Sequence, residues 1–278
     1  MSSHLWRCRD RIVEIRRRPL IMGIVNVTPD SFSDGGQHST TTSAIVHALR
    51  LIEEGADLLD IGGESSRPGA DPVSLQDELL RVIPVVEQLA KATSIPISVD
   101  TVKPEVARQA LAAGACIIND ITALQDREMV AVARSFEAGV ILMHMQGTPQ
   151  TMQQNPTYTD VVEDVSTFLE DRIRTLVGEG IALESIVLDP GIGFGKTHEQ
   201  TLAQLRNLDK CQRFGRPVCL GVSRKGFIGI ITGRPRSERT VGSVAVACHA
   251  MAREAAQILR VHDVTAHRDA VRVFEAIQ

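Results

Sequence analysis

The sequence predicts an α/β protein, a single (β/α)8 (TIM) barrel with a short N-terminal extension. Three observations predict it. Eight short apolar runs recur along 278 residues, near-continuous in Val, Ile and Leu as strands buried on both faces are. Between them, apolar positions return at spacings of three and four, the period of helices that bury one face. The connections are unequal: helix-to-strand turns are short (EEGAD, AAGAC, FEAGV), whereas strand-to-helix loops such as TPDSFSDGGQHSTTT, ESSRPGADPVS and QGTPQTMQQNPTYT are long and polar. Elaboration at one end only is the habit of the C-terminal face of a barrel, where active sites sit.

Residues 1–18 (MSSHLWRCRDRIVEIRRR) carry Arg16, Arg17 and Arg18 but no apolar signal-peptide core. They are expected to be a solvated lead-in, a hairpin that closes the barrel bottom, with residues 19–278 forming the barrel. The strand runs follow as LIMGIVN (20–26), DLLDIGG (57–63), IPISVDT (95–101), CIINDI (116–121), GVILMHM (139–145), SIVLDPG (185–191), PVCLGVS (217–223) and ILRVHDV (258–264). Leu75, Leu79, Val82, Ile83, Val86 and Ala90 mark the core face of one intervening helix, and Val162, Val165, Leu169, Ile173 and Leu176 that of another. Strand and helix alternate eight times, which implies parallel pairing.

Composition narrows the function. Net charge is −4 and aromatic residues are 3%, which argues against a nucleic-acid partner. No run approaches the roughly twenty apolar residues of a membrane span. The five cysteines (Cys8, Cys116, Cys211, Cys219 and Cys248) are scattered without CxxC spacing. Cys116, Cys219 and Cys248 lie in apolar stretches and are expected to be reduced core residues, fitting a reducing cytoplasm.

The stretch LDPGIGFGKT (188–197) imitates a nucleotide phosphate loop but does not match one. That loop needs Gly, four residues, then Gly-Lys-Ser/Thr. Here Pro190 stands where the first glycine belongs, and proline has no N–H to offer a phosphate.

Polar residues gather where the strand runs end: Asn26, Asp60, Asp100, Asn119, His144, Asp189, Ser223 with Arg224 and Lys225, and Arg260 with His262. Acids and amides directly after runs such as ISV and IIN need partners if buried. Sorted by charge, Asp100, Asn119 and Asp189 make an acid-amide pocket, suited to the paired N–H groups of a guanidine-like heterocycle edge. Lys225, Arg260, His262 and Arg67 make a basic half, suited to phosphate oxygens. A flat polar heterocycle bearing a phosphate ester is implied. The alternative is a divalent ion held by Asp60, Asp100 and Asp189, although no histidine-carboxylate spacing marks a dedicated site. His144, alone at its strand end, is read as structural.

In this order, NVTPDSFSDGG, GGESSRPGA, SVDT, IND, LMHMQG, LDPGIGFGK, SRKGFIG and RVHDV resemble the dihydropteroate synthase family, from Leu20 to Val264. The resemblance implies condensation of 6-hydroxymethyl-7,8-dihydropterin diphosphate with p-aminobenzoate, giving 7,8-dihydropteroate and pyrophosphate in folate biosynthesis. It implies that Asp100, Asn119, Asp189 and Lys225 bind the pterin, with Met143, Gly193 and Phe194 lining its pocket. Ser66, Arg67, Arg260, Val261 and His262 would hold the diphosphate, and Asn26 a magnesium ion. Phe32, Ser66, Pro68, Phe194 and Ser223 would form the p-aminobenzoate slot. Asp34, Arg67 and Lys225 are the catalytic candidates, and Asp34 and Phe32 lie on a loop that closes over the reacting centre. Sulfonamides, as para-substituted anilines, would compete with p-aminobenzoate. A cytoplasmic homodimer is also implied. One departure is visible: the family's usual Ser-Thr-Arg-Pro-Gly is Ser65-Ser66-Arg67-Pro68-Gly69 here, which keeps the hydroxyl and loses a methyl. Two alternatives are a pterin-binding methyltransferase barrel and a pterin-binding paralogue without turnover.

Overall fold

The apolar runs become strands because each is flanked by turn residues and buried on both faces. The structure, a computed structural model, describes residues 4–16, 18–28 and 37–277. Phe32 and Asp34, and Arg17 of the extension, lie outside the described residues.

A hairpin comes first, β1 (His4–Cys8) with β2 (Arg11–Ile15). The barrel strands are β3 (Leu20–Asn26), β4 (Leu58–Gly62), β5 (Ile97–Asp100), β6 (Ile117–Asp120), β7 (Gly139–Met143), β8 (Ile186–Asp189), β9 (Cys219–Leu220) and β10 (Ile258–Val261). The helices are α1 (Gln37–Glu53), α2 (Leu75–Ala92), α3 (Pro104–Ala113), α4 (Arg127–Ser135), α5 (Val161–Gly178), α6 (His198–Arg206), α7 (Gly226–Thr232), α8 (Thr240–Ala252) and α9 (Val264–Ala276). Every barrel pairing is parallel, in the order β8-β7-β6-β5-β4-β3-β10-β9. The ring closes through a parallel bridge between Leu188 and Val218, where Leu188 N donates to Pro217 O at 2.9 Å. This is the (β/α)8 barrel that the alternation predicts.

Two apolar cores result. The larger lies between sheet and helices. The smaller fills one end of the barrel, where Trp6, Cys8 and Ile15 of the hairpin meet Leu20, Leu58, Ile117 and Ile258 at the starts of four strands. The Trp6 indole N–H donates to Ser185 O at 2.8 Å. Arg18 forms a two-pronged pair with Asp57, both contacts at 3.0 Å.

Helix α5 buries Val162, Val165, Leu169 and Leu176, as its periodicity implies. Helix α2 departs from expectation. It buries Glu78, Val82, Val85, Val86 and Leu89, while Leu75 is exposed. Glu78 turns inward because Lys103, bonded also to Glu64, accompanies it at 2.5 Å. All five cysteines are free; four are buried, and Cys248 is half-buried rather than a core residue.

Candidate active site

Register brings the polar strand ends together. Gly62 pairs with both Asn26 and Asp100, Asp100 with Asn119, and Met143 with Asp189. Because all strands run parallel, these residues share one mouth, and all but Gly62 line a cavity of 640 Å³. Loops complete the wall: Ser66, Arg67 and Pro68 after β4, Gly193 and Phe194 after β8, Ser223 and Lys225 after β9, with Arg260 and His262 on or just after β10. Val261 does not join them. Side chains alternate along a strand, so Arg260 points inward and Val261 outward, 1% exposed in the sheet–helix core.

The acid-amide half is built from buried groups, each with its own partner. Asp189 is 6% exposed, and its Oδ1 accepts from Gly191 N at 2.7 Å. Burial pushes its pKa up, while Lys225 and that N–H pull it down. Lys225 donates to Ile192 O, and its ammonium lies 4.2 Å from the Phe194 ring centroid. Burial pushes Lys225 down to about 8, against the pull of Asp189. Burial likewise pushes Asp100 up to about 7, opposed by Arg260 and reinforced by Asp60.

The basic half differs from expectation. Arg260 reaches into the barrel, where Nε donates to Asp60 and Nη2 to Asp100, each at 2.6 Å. Burial disfavours its charge, but the two carboxylates outweigh that and its pKa is raised. Arg260 therefore takes the place the divalent-ion alternative gave to a metal between Asp60 and Asp100. His262 is not cationic: burial, then Arg260, Arg236 and Arg224, hold it down to about 3. Its Nδ1 lies 2.9 Å from Ser223 Oγ. Arg224 is committed to Asp263, with one contact at 2.9 Å. Arg67 is exposed at the rim.

Residues 22–262 match the model of the pterin-binding enzyme family. The dihydropteroate synthase of Synechocystis is 46% identical over 94% of this chain and 91% of its own. The chain belongs to the dihydropteroate synthase family of pterin-binding enzymes. Structural likeness agrees. The Xanthomonas albilineans dihydropteroate synthase with 4-aminobenzoic acid superposes with a TM-score of 0.93 at 48% identity, covering 100% of this chain and 99% of that one. The same organism's enzyme in complex with 7,8-dihydropteroate gives 0.89 at 46% identity, covering 99% and 98%.

With the dihydropteroate synthase family in view, three groups take roles that the motif reading did not give them. Asp60 lies beneath the cavity and pairs with both Arg260 and Asn119. Lys196, the lysine of the imitation phosphate loop, is 3% exposed beside Asp189's turn. Arg236 lines the mouth from the α7–α8 loop, with Arg67, Arg224 and Arg239 as like-charged neighbours. The signal for Arg236 was its place on a C-terminal-face loop, GRPRSER; the other two needed the fold. The loop's Gly-Lys-Thr ending also has a structural role: Thr197 caps α6 in a reciprocal box with Gln200.

Among the described residues, no three His, Cys, Asp or Glu side chains group to hold a metal. Asn26 offers a neutral amide oxygen, half-buried at the end of β3. One such ligand fits magnesium, which favours substrate phosphates and water over an all-protein cage.

Proposed function

We propose that this chain is a dihydropteroate synthase, joining 6-hydroxymethyl-7,8-dihydropterin diphosphate to p-aminobenzoate. The observation that carries this reading is one cavity in which Asp189, Asn119 and Asp100 gather as acceptors, Lys225 lies over Phe194, and Arg67 and Arg236 stand at the rim. The acceptors take the pterin's ring N–H and 2-amino group, while Lys225 donates to its oxygen and ring nitrogen. Met143 and Gly193 complete the pocket.

The C–O bond between the exocyclic methylene and the diphosphate breaks, and its electron pair leaves with pyrophosphate. The arylamine nitrogen then bonds to that carbon and loses a proton. An arylamine is largely neutral at pH 7, so a strong base is not required. Arg67, Ser66, His262 and the uncommitted N–H groups of Arg260 bind the diphosphate. Asn26 would hold a magnesium ion, which would supply charge neutralisation for the leaving group. Phe32, Pro68, Phe194, Ser66 and Ser223 bound the p-aminobenzoate slot, and Asp34 stabilises the cation or takes the proton. Sulfonamides occupy the same slot.

Residues 1–18 serve as the closing extension and 19–278 as the catalytic barrel. Neither a methyl-transfer barrel nor a silent pterin binder is favoured by any observation. Helices α7 to α9 expose Ile230, Ile231, Val241 and Val273, with Ile277 exposed just after α9, and we assign this side to a second copy of the chain. No described helix is long and apolar enough to cross a membrane. The free thiols suit a reducing cytoplasm. The test is release of pyrophosphate that depends on p-aminobenzoate; pterin binding with no such release would sink the reading.

A further inference from the structure

The turn between β8 and α6 holds six consecutive carbonyls, and a side chain donates to each. Pro190 O accepts from Gln204 Nε2 at 3.2 Å, and Gly193 O from Gln153 Nε2 at 2.9 Å. Ile192 O accepts from Lys225, and Gly195 O from the Tyr158 hydroxyl at 2.6 Å. Lys196 Nζ serves two, donating to Gly191 O and Phe194 O at 2.9 Å each. The third contact of Lys196 Nζ is to His144 Nδ1 at 3.0 Å. The His144 ring is braced edge-on against Phe168, centroids 5.0 Å apart.

The turn lies flat against the end of β7. A Cβ on Gly191 would come within 1.8 Å of His144 O, and one on Gly195 within 2.5 Å of Gln146 O. Both glycines have positive φ, +64° and +59°. Lys196 is 3% exposed, and its bonded acceptors are two carbonyls and an imidazole rather than a carboxylate. Such burial is costly for an ammonium, which is the reason to ask what it organises. Burial and then Lys225 press its pKa down to about 7, while burial and Lys196 hold His144 down to about 3. A neutral His144 accepts at Nδ1, so all three donors of the ammonium are matched.

The two ends of this turn are cavity walls. Asp189 enters it, held by Gly191 N at 2.7 Å and through its own carbonyl by His144 N at 3.0 Å. Phe194 leaves it beneath Lys225.

We propose that Lys196 is a positioning residue for pterin binding: it ties the Gly191 and Phe194 carbonyls to His144 and so holds Asp189 and Phe194 in one binding geometry. The proposal rests on the dihydropteroate synthase reading for the identity of the ligand. It requires that losing the knot affect the pterin before it affects the arylamine.

The experiment compares wild type with Lys196→Met, Lys196→Gln and His144→Phe. Calorimetry measures 6-hydroxymethyl-7,8-dihydropterin binding, kinetics give KM for each substrate and kcat, and thermal unfolding reports folding. Lys196→Met is expected to weaken the pterin about tenfold or more, with a matching rise in KM for the pterin diphosphate. KM for p-aminobenzoate should rise by a smaller factor, because of the two held groups only Phe194 bounds that slot. Lys196→Gln keeps two N–H donors and should recover part of the loss; His144→Phe keeps the ring packing and should fall between. A folded Lys196→Met with wild-type pterin affinity overturns the proposal, as does an equal rise in both KM values. If Lys196→Met does not fold, the same ratio decides in the other two variants, and unchanged pterin affinity in both overturns it. Wild-type turnover tests the underlying reading separately. A wild type that binds pterin without making dihydropteroate would remove that reading and leave the binding comparison intact.

Discussion

Asn119 donates its side-chain amide to Asp60 Oδ2 at 3.0 Å. A carboxylate accepts, so the Asn119 carbonyl is the end turned to the cavity. Arg260 Nε donates to the same Asp60 oxygen at 2.6 Å. Asp60 is fully buried and does not line the cavity, yet it orients two groups that do.

Asp60→Asn therefore has two expected effects. An amide can donate, so Asn119 is released to rotate its own donor toward the pterin. Arg260 also loses one of two ionic partners. Losing a charged hydrogen-bond partner in the interior costs about 1–3 kcal/mol, so the melting temperature should fall and pterin affinity should drop about tenfold. Thermal unfolding and calorimetry read the two effects independently. A folded variant with unchanged pterin affinity would show that the orientation of Asn119 is immaterial.

Much of this site was legible in the sequence, for a local reason. Asp100, Asn119 and Asp189 each follow a short buried run, and strand ends in a parallel barrel share one mouth. What was not legible is long-range. Arg260 and Asp60 are 200 residues apart, and nothing in either motif says that they pair. Without the pair, Arg260 reads as a free cation for an anion. His262 reads as cationic for the same reason, because its burial and its arginine neighbours come from other strands and loops. Val261 was carried along inside RVHDV, although alternation turns it away. The register of α2 shifted because Glu78, charged in the sequence, goes inward to Lys103.

Stability should depend on pH through Asp100. Its folded pKa, pushed up to about 7 chiefly by burial, lies above the ordinary carboxylate value. Between about pH 4 and pH 7 the folded state therefore binds more protons than the unfolded chain. The stability from this group is full below that window and is lost as pH rises through about 7. The slope is at most about 1.4 kcal/mol per pH unit. Asp100→Asn removes it, so denaturant unfolding should show wild type weakening relative to the variant as pH rises. A flat difference curve would contradict the assignment.

Inhibitor binding should depend on the anion. The loop after β4 is tied to the β7–α5 loop by Gly69 N donating to Pro149 O and by Gln150 Nε2 donating to Ala70 O, both at 3.1 Å. Two such bonds leave Ser66, Arg67 and Pro68 with ordering still to be gained. Under the proposed function, magnesium pyrophosphate would supply that ordering by engaging Arg67 and Asn26. A sulfonamide should bind at least about tenfold more tightly when magnesium pyrophosphate is present. Equal affinity with and without it, measured by calorimetry, would mean a preformed slot.

The exposed α7–α9 face should hold the dimer. Val241 is 81% exposed on a helix that is apolar on more than one side. Val241→Asp places a charge there and should shift the chain to monomers in sedimentation velocity, without lowering its melting temperature below that of a wild-type monomer at high dilution. A wild type that is already monomeric at micromolar concentration would remove this assignment.

Under the proposed function, one cavity binds the pterin edge through Asp189 and carries out the condensation. The most direct test is to supply 6-hydroxymethyl-7,8-dihydropterin diphosphate, p-aminobenzoate and magnesium, and to quantify both products for wild type and Asp189→Asn. Wild type should give 7,8-dihydropteroate and pyrophosphate in equal amounts. Asp189→Asn, whose amide leaves one pterin N–H without an acceptor, should lose about 1–3 kcal/mol of that catalysis in kcat/KM. Pyrophosphate without dihydropteroate, or a variant as active as wild type, would contradict the account.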